Sequence, residues 1–360
     1  MDFGVLFTSH PNTDVEKYPH QDVHQRVTQQ IVAADRLGYG CAWIAEHHFS
    51  NQYGIMPDIF VYVAHLAALT KTIKLGAAVI TLPLANPVRV VENAAFLDIL
   101  SHGRFVLGFG SGYRPYEFEG FGVPFEQRRE IQEEALPLIA ELFEKKKAKH
   151  SGKYFNVDID GEYEIFPHPV QKPYPPLYLA GATERSIGVA GRRGFGLMLS
   201  SLTPIDGLIK DVITYREATK DAPAEVRNNP AFGEIDVARW VYVAETDAKA
   251  KAESEAGILR HFSHFDGKQT VGYLGVVSPA KGTANEMSRY DELQSHTIIH
   301  GSPKTVSEKI AALQASTGCT SMMLHYPPYY GAEKTLASLT MFAEEVMPKF
   351  KVKERKPVNR

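Results

Sequence analysis

Short apolar segments typical of buried strands alternate with amphipathic helical segments along most of the chain. The predicted strands are residues 3–7, 41–45, 73–82, 104–109, 177–180, 196–200, 235–244 and 320–324. The predicted helices are 21–37, 57–70, 88–100, 126–146, a segment ending at 193, 204–219, a segment starting near 247, 303–315 and 332–350. About eight strand–helix units predict an α/β fold, a (β/α)8 TIM barrel. The alternative is an open doubly wound sheet, which usually has fewer strands.

Two stretches interrupt this alternation. Residues 151–176, after strand 4, are rich in Pro, Tyr and Phe and are expected to form a surface excursion with short hairpin strands. Residues 260–300, after strand 7, are rich in Gly, Ser and His, lack a period, and are expected to form an irregular lid. The remaining pattern predicts one barrel domain over 1–350 and a flexible basic tail over 351–360.

Composition narrows the class of protein. Of the 360 residues, 44% are hydrophobic and 22% are charged, as in soluble globular proteins, and the net charge of −3 gives no field that would attract nucleic acid or an anionic membrane. No apolar run approaches the roughly 20 residues of a membrane-spanning helix. The N-terminus shows no signal-peptide pattern, and two cysteines do not suggest a disulfide framework. We therefore expect a cytoplasmic protein.

The end of the second predicted strand carries the first candidate chemistry. Glu46, His47 and His48 follow the apolar segment directly, and the C-terminal strand ends of a barrel form its mouth, where barrel enzymes place their active sites. Because adjacent residues of a strand point in opposite directions, only one histidine should face the mouth. A histidine there can hold or transfer a proton, although a hydrogen-bonded structural histidine is the alternative. The sequence contains no HExxH pattern, which would indicate a metal site.

The end of the fifth predicted strand suggests an anion site. Gly181, Ala182 and Thr183 precede a helix whose first turn contains Ser186. Free backbone N–H groups, the helix dipole and short hydroxyls suit a phosphate, but Thr183 is also a good helix N-cap without any ligand. Arg129 lies near the start of another predicted helix. It is either a solvated surface residue or one that binds an anion through its guanidinium group.

Several runs together resemble a known family. They are Trp-Ile-Ala-Glu-His-His-Phe at 43–49, Ala-Ala-Val-Ile-Thr-Leu-Pro at 77–83, Leu-Asp-Ile-Leu-Ser-His-Gly-Arg-Phe at 97–105, and Ala-Glu-Glu-Val-Met-Pro at 343–348. Over nearly its full length, the chain resembles the bacterial luciferase-like flavin monooxygenases. The resemblance implies a TIM barrel that binds reduced FMN, supplied by a separate flavin reductase. It further implies that O₂ adds to the flavin as a C4a-hydroperoxide, which oxygenates a small organic substrate.

The resemblance also implies roles for individual residues. His47 matches the catalytic histidine of the family. The positions that match cofactor-binding residues are Ala78, Val79, Gly110, Ser111, Arg129, Gly181, Ala182, Thr183, Ser186 and Ser200. Among them, Ala78–Val79 matches a non-proline cis peptide bond beside the flavin. Luciferase proper has cysteine and arginine where this chain has Gly110 and Ser111, so light emission is not expected.

Other functions remain open at this point. The same barrel hosts F420-dependent oxidoreductases, but the predicted mouth shows no basic cluster for the polyanionic tail of F420. A non-catalytic flavin-binding relative is a further alternative, which the presence of His47 and of the phosphate loop disfavours. Aromatic residues available as cavity walls are Phe7, Phe49, Tyr113, Trp240 and Tyr326. They suggest an apolar substrate.

The assembly is predicted from the family and from one helix. Relatives usually dimerise through early helices, so we expect a homodimer. The apolar positions of the helix at 57–70 that could form a patch shared by two copies are Ile59, Val63, Leu66 and Ala67.

Overall fold

The computed structural model describes residues 1–50, 53–263 and 289–350. Its strands are β1 (Asp2–Phe7), β2 (Cys41–Ile44), β3 (Lys74–Ala77), β4 (Ile80–Thr81), β5 (Phe105–Gly110), β6 (Ala148–Ser151), β7 (Asn156–Ile159), β8 (Leu177–Gly181), β9 (Gly196–Leu199), β10 (Ile235–Val243), β11 (Ile298–Gly301) and β12 (Ser321–His325). Its helices are α1 (Pro19–Leu37), α2 (Ile59–Leu69), α3 (Pro87–Leu100), α4 (Pro115–Phe121), α5 (Arg128–Lys145), α6 (Glu184–Arg192), α7 (Ile205–Lys220), α8 (Asp247–Ser263), α9 (Arg289–His296), α10 (Pro303–Thr317) and α11 (Ala332–Met341). A π-helical turn, Phe342–Val346, continues α11.

The strands close into a parallel barrel, as the alternation of elements predicts. The order around the barrel is β1, β2, β3, β5, β8, β9, β10 and β12, and β12 pairs with β1 to complete the circle. In the closing pair, Leu6 of β1 lies opposite His325 of β12. Closure leaves the barrel strands without free edges and brings their C-terminal ends to one mouth. The predicted TIM barrel is confirmed.

Local signals in the sequence fix several helix ends. Helix α1 ends at Leu37, the predicted last residue, and is followed by Gly38, which adopts the left-handed conformation (φ 80°) that glycine tolerates. Helix α3 begins after Asn86, whose side-chain oxygen accepts from the backbone N–H groups of Val88 and Arg89. Pro87 at its first position has no N–H to leave unsatisfied. These caps act through neighbouring residues, so sequence alone locates them.

Side chains of the barrel strands fill the inside of the barrel below its mouth. One buried cluster there contains Cys41, Trp43, Val106, Met198, Ala238 and Met323. The ring of Trp43 occupies the space beside Gly76, where a Cβ would collide with it. This bulky ring therefore needs a glycine on the adjacent strand. Three members of this cluster, Met198, Ala238 and Met323, also line the cavity that opens towards the C-terminal strand ends.

The third predicted strand is not continuous. Residues 73–82 were predicted as one strand, but the structure has β3 and β4 with Ala78 and Val79 between them. β3 pairs with both β2 and β5, whereas β4 pairs only with β5. The peptide bond between Ala78 and Val79 is cis, as the family resemblance implies. The uniformly apolar run concealed this interruption because both halves are buried.

Both predicted insertions are present, but the second is more regular than expected. At the first, the antiparallel hairpin of β6 and β7 spans residues 148–159, so it begins three residues before the predicted stretch 151–176. In the second, α8 continues to Ser263, and α9 and β11 follow at 289–301, with β11 parallel to β10. The prediction of an irregular stretch over 260–300 is wrong for these described parts. Residues 264–288 of the expected lid, and the tail 351–360, lie outside the described residues.

The predicted dimer patch on α2 is wrong. Ile59, Val63 and Leu66 have no exposed surface, and Ala67 is buried, because this face packs against the chain's own core. The large apolar residues that α2 and its neighbour α3 do expose are Val61, Leu69, Phe96 and Leu100. Helical periodicity identifies an apolar face but not whether the barrel or a second copy covers it.

Two further findings concern membranes and cysteines. No helix in the described part of the chain is long and apolar enough to cross a membrane. Cys41 and Cys319 are both buried and form no disulfide. Each thiol lies in packed interior, where burial raises its pKa.

Candidate active site

A cavity of about 550 Å³ opens at the C-terminal ends of the strands. Residues in or directly after all eight barrel strands line it. The predicted site residues are all among them: His47, Ala78, Val79, Gly110, Ser111, Arg129, Gly181, Ala182, Thr183, Ser186 and Ser200. Its volume lies within the range of roughly 300–1,000 Å³ that small-molecule sites occupy. The structure thus brings together residues from very different parts of the chain, while their chemical roles stay predictions.

His47 is held by Glu117, which sequence reasoning missed. The His47 Nδ1 atom lies 3.2 Å from Glu117 Oε1, and the same oxygen accepts from the backbone N–H of His48 at 3.0 Å. Both side chains are buried. Because an ionised carboxylate only accepts hydrogen bonds, we assign the proton of the neutral His47 ring to Nδ1. The lone pair of the ring is then on Nε2.

The charges around this pair favour an ionised Glu117 beside a neutral His47. Burial lowers the pKa of His47, the hydrogen bond with Glu117 raises it in part, and Arg114 lowers it again, so that it ends below its usual value. Burial would raise the pKa of Glu117, but its bonds with His47 and His48 bring it below its usual value. A neutral imidazole beside a carboxylate is suited to accept a proton.

Arg114 and three tyrosines surround the pair. The Arg114 guanidinium lies 4.2 Å from the ring centre of Tyr53 and 5.2 Å from that of Tyr113, and it donates to the Tyr116 hydroxyl at 2.6 Å. The His47 ring contacts Tyr53 edge-on, with ring centroids 4.9 Å apart. All of these polar groups except Tyr53 lie in residues 113–117, shortly after the end of β5. Nothing in the local sequence of that run shows that Glu117 is the hydrogen-bond partner of His47.

The two adjacent histidines separate as strand alternation predicts. His47 lines the cavity, whereas His48 does not, and its Nε2 lies 3.4 Å from Glu46 Oε1. The ring of His48 packs edge-on against Phe121. Within the described ranges, no three His, Cys, Asp or Glu side chains converge as a metal site requires.

At the other end of the cavity, the hydroxyls of the predicted phosphate loop cap α6. Thr183 is the N-cap and forms a capping box with Ser186. The Ser186 hydroxyl oxygen accepts from the backbone N–H groups of Ala182 and Thr183, at 3.2 and 3.1 Å. The capped-helix interpretation therefore describes the hydrogen bonds of these hydroxyls, and both residues also line the cavity.

Three arginines lie near this end, which corrects the expectation of a mouth without a basic cluster. Arg128, Arg129 and Arg185 all line the cavity. Arg185 is paired with Glu133, with Nε 2.8 Å from Oε1, and Arg128 packs on the ring of Phe125. Arg129 is exposed and has no salt-bridge partner among the described residues. The first turns of α5 and α6 meet here. Because these turns are far apart in sequence, the sequence alone did not predict the cluster.

The missing side chain of Gly110 makes room for the side chain of Val79 in the cavity wall. A Cβ at this position would lie 2.5 Å from the Cγ2 atom of Val79, so any larger residue would displace Val79. Val79, Gly110 and Ser111 all line the cavity. A backbone surface without a side chain allows close approach of a flat group. This surface and the basic end fit a ligand with a planar ring and an anionic tail.

The predicted aromatic walls are only partly correct. Tyr113 and Trp240 line the cavity. Phe7 is instead buried in the main hydrophobic core, and Phe49 is 64% exposed. Tyr326 is not among the cavity-lining residues. The direction of a side chain at a strand end depends on local backbone geometry, which the sequence did not reveal.

Known proteins resemble this chain in sequence. The profile of the family described as luciferase-like monooxygenase matches residues 1–320. An uncharacterized protein, y4vJ of Sinorhizobium fredii, is 34% identical over 224 residues, which are 61% of this chain and 61% of that protein. The oxygenase component of the flavin-dependent trigonelline monooxygenase of Acinetobacter baylyi is 24% identical over 347 residues, 93% of each chain.

Solved structures share the fold. The oxygenating constituent of 3,6-diketocamphane monooxygenase from Pseudomonas putida, in complex with FMN, has a TM-score of 0.76 at 22% identity, covering 98% of this chain and 99% of that one. The coenzyme F420-dependent tetrahydromethanopterin reductase of Methanopyrus kandleri has a TM-score of 0.67 at 19% identity, covering 97% and 99%. At these identities the likeness concerns the fold alone.

Proposed function

This chain belongs to the luciferase-like monooxygenase family, and from that premise we propose that it is the oxygenase component of a two-component system. It uses reduced FMN and O₂ to oxygenate a small, apolar organic substrate, and a separate flavin reductase supplies the reduced FMN. The observation that carries the proposal is the shared cavity of His47 and Thr183, which joins a proton-transfer residue to an anion-binding end. The relative from Acinetobacter baylyi, the flavin-dependent trigonelline monooxygenase, is named as the oxygenase component of its system, which supports the proposal.

The residues of the cavity fit FMN. The open surface at Val79 and Gly110 would hold the planar ring, and Arg129 and the first turn of α6 would hold the phosphate. Reduced FMN, when bound, supplies the electrons that activate O₂. Apolar residues such as Leu179 and Met198 line the cavity and exclude water, which protects reactive oxygen chemistry from side reactions.

His47 is the residue to which we assign proton transfer. With its proton on Nδ1, the ring offers Nε2 to accept a proton or a hydrogen bond from the activated oxygen. Glu117 then stabilises the imidazolium that forms, as the carboxylate of a catalytic triad does. Burial, assisted by the charge of Arg114, lowers the pKa of His47 and so keeps the resting ring neutral. His47 is the catalytic residue, and Glu117 is a positioning residue that acts through it.

An F420-dependent hydride transfer is the second candidate, because Arg128, Arg129 and Arg185 would also suit a polyanionic tail. The full chain is titrated with reduced FMN and, separately, with reduced F420, and each complex is then mixed with O₂ in a stopped-flow spectrometer. Tight binding of reduced FMN and an O₂-dependent absorbance transient support the monooxygenase. Binding of F420 alone, without a reaction with O₂, favours the reductase. Binding of neither contradicts both.

The homodimer belongs to the same proposal. The exposed faces of α2 and α3, with Val61, Leu69, Phe96 and Leu100, offer apolar surface that two copies of the chain can share. Sedimentation velocity of the purified chain tests this. A monomer at micromolar concentration contradicts it, and a dimer that Phe96→Glu dissociates supports this face.

A further inference from the structure

Two methionines form part of the floor of the cavity. Met198 of β9 and Met323 of β12 line the cavity, and both also belong to the packed cluster below the mouth. Among the described residues that line the cavity, they alone contain sulfur. They are 4% and 3% exposed, whereas Met322 has no exposed surface and lies in the main hydrophobic core. Alternation along β12 therefore turns one methionine towards the cavity and its neighbour away from it.

The thioether of Met198 lies close to the surface that we assign to the flavin ring. A Cβ at Gly108 would lie 3.1 Å from Sδ and 3.0 Å from Cε of Met198, so the end of this side chain reaches from β9 to β5 inside the barrel. Gly110, two residues further along β5 and on the same face, makes the corresponding close contact with Val79. Because two residues of a strand span about 7 Å, the sulfur of Met198 lies only about that far below the surface at Val79.

A methionine thioether is well suited to accept an oxygen atom. Its sulfur carries lone pairs, forms a sulfoxide without losing a proton, and moves on a flexible unbranched chain. Leucine would fill nearly the same volume in a packed floor and has no atom that is oxidised in this way. In a cavity where reduced FMN and O₂ react, the sulfur atoms of Met198 and Met323 compete with the substrate for the same oxygen.

We propose that Met198 and Met323 are modification sites, and that the chain oxidises them to methionine sulfoxide when reduced FMN reacts with O₂ in a cavity without substrate. The inference rests on the proposed function, which supplies the oxygen. A sulfoxide is polar, so the modified floor binds an apolar substrate less tightly, and methionine sulfoxide reductases reverse the change. The pair thus couples the state of the cavity to the supply of substrate.

The oxidation is balanced in atoms and electrons. A sulfur lone pair forms the new S–O bond with one oxygen atom of O₂, and the O–O bond breaks. The second oxygen atom leaves as water with two protons from reduced FMN. Reduced FMN and the thioether each lose two electrons, and O₂ gains four. No other oxidant or reductant is needed.

The position of the incorporated oxygen tests the proposal. The full chain with one equivalent of reduced FMN is mixed with oxygen-18-labelled O₂ and catalase, which removes free peroxide, and tandem mass spectrometry measures the label in each methionine. We expect at least roughly tenfold more label in Met198 and Met323 than in Met322, because an internal group reacts at a high effective concentration. Met1 and Met341 are more exposed than the cavity pair and should stay nearly unlabelled. Dilute hydrogen peroxide and the flavin-free chain should give the opposite order, with these two oxidised first.

The yield of hydrogen peroxide provides a second readout. Each oxygen atom transferred to sulfur replaces one molecule of peroxide that reduced FMN and O₂ otherwise form. Without catalase, the unmodified chain should therefore release less peroxide than the reduced FMN consumed, and the deficit should match the sulfoxide found. The double substitution Met198→Leu and Met323→Leu should abolish the deficit, whereas Met322→Leu should leave it in place.

The outcomes separate this inference from the proposed function. Label in Met1 and Met341 instead of the cavity pair, or equal label in all of these methionines, overturns the inference whether or not the variants fold. If the chain binds reduced FMN and consumes O₂ while Met198 and Met323 stay unlabelled, the inference is wrong and the proposed function stands. If the chain does not bind reduced FMN, both are rejected.

Discussion

Glu117 Oε1 lies 3.2 Å from His47 Nδ1 and 3.0 Å from the backbone nitrogen of His48, so one buried carboxylate holds both the ring and the strand end that carries it. The rotation and the tautomer of His47 are therefore set by a helix that follows a different strand. Removing the charge of Glu117 should affect chemistry more than binding.

We expect Glu117→Gln to lower the pKa of His47 further, because the carboxylate is the group that favours the protonated ring while burial and Arg114 oppose it. The rate of substrate oxygenation should fall at least roughly tenfold. In the pH–rate profile, the decline of this rate on the acid side should move to lower pH. NMR titration of the His47 ring, assigned with His47→Ala, measures the pKa. Glu119→Gln removes the same charge from an exposed position of α4 and should change neither quantity. An unchanged His47 pKa in Glu117→Gln would contradict the assignment.

We expect His47→Ala to bind FMN nearly as well as the unmodified chain and to release more hydrogen peroxide per reduced flavin consumed. Without the proton-transfer group, product formation should fall roughly 100-fold while reaction with O₂ continues. Peroxide and product are quantified in the same reaction. His48→Ala is the control, because its ring lies outside the cavity lining, against Phe121. Unchanged coupled turnover in His47→Ala would refute its role.

Arg129→Ala tests the anionic end of the cavity. Arg129 is exposed, so solvent screens its charge, and we expect a loss of FMN affinity of about three- to tenfold. Riboflavin lacks the phosphate and should bind equally well to both proteins. Equilibrium titration at low and high salt measures the difference, which should shrink with salt. Arg89→Ala, an exposed arginine of α3 paired with Glu92, is the control. An equal loss for riboflavin would remove Arg129 from the phosphate site.

Thr183→Ala separates the capping role from the ligand role of this hydroxyl. Loss of the N-cap of α6 should lower the free energy of unfolding by about 1 kcal/mol, and Thr183→Ser should restore it because serine caps equally well. Urea denaturation measures the stability, and FMN titration of the same proteins measures the ligand effect. Full stability in Thr183→Ala would show that the cap contributes little.

Asp236 gives the chain a dependence of stability on pH. It is buried, and burial raises its pKa to about 7. Its stabilising contribution is complete below the unfolded pKa of about 3.9 and is lost as pH rises to about 7, because only the unfolded state releases the proton in this range. The loss amounts to about 1.4 kcal/mol per pH unit.

Asp236→Asn should remove this part of the dependence, since the amide is neutral at every pH. The stability of the variant relative to the unmodified chain should therefore rise between pH 5 and pH 7, as urea denaturation at several pH values would show. Asp158→Asn, on the exposed hairpin of β6 and β7, should leave the dependence unchanged. Parallel curves for Asp236→Asn and the unmodified chain would mean that Asp236 is already ionised in the folded state.

The sequence could predict the eight barrel strands because each depends on a short apolar run followed by a helix with its own apolar face. It could also place His47 and Thr183 at one mouth, since parallel strands align their C-terminal ends. It missed β11, which lies inside the stretch 260–300 that is rich in Gly, Ser and His, and it joined β3 and β4 because both are buried and mostly apolar.

What the sequence by itself determined is the order of elements and the residue types at the strand ends, because periodicity and caps act between near neighbours. The tertiary structure alone decided that Glu117 holds His47, that Arg129 joins Arg185 at one end, and that the inner face of α2 meets its own barrel. Those contacts join residues far apart in sequence. Their distances follow from barrel closure and side-chain packing, to which every element contributes at once.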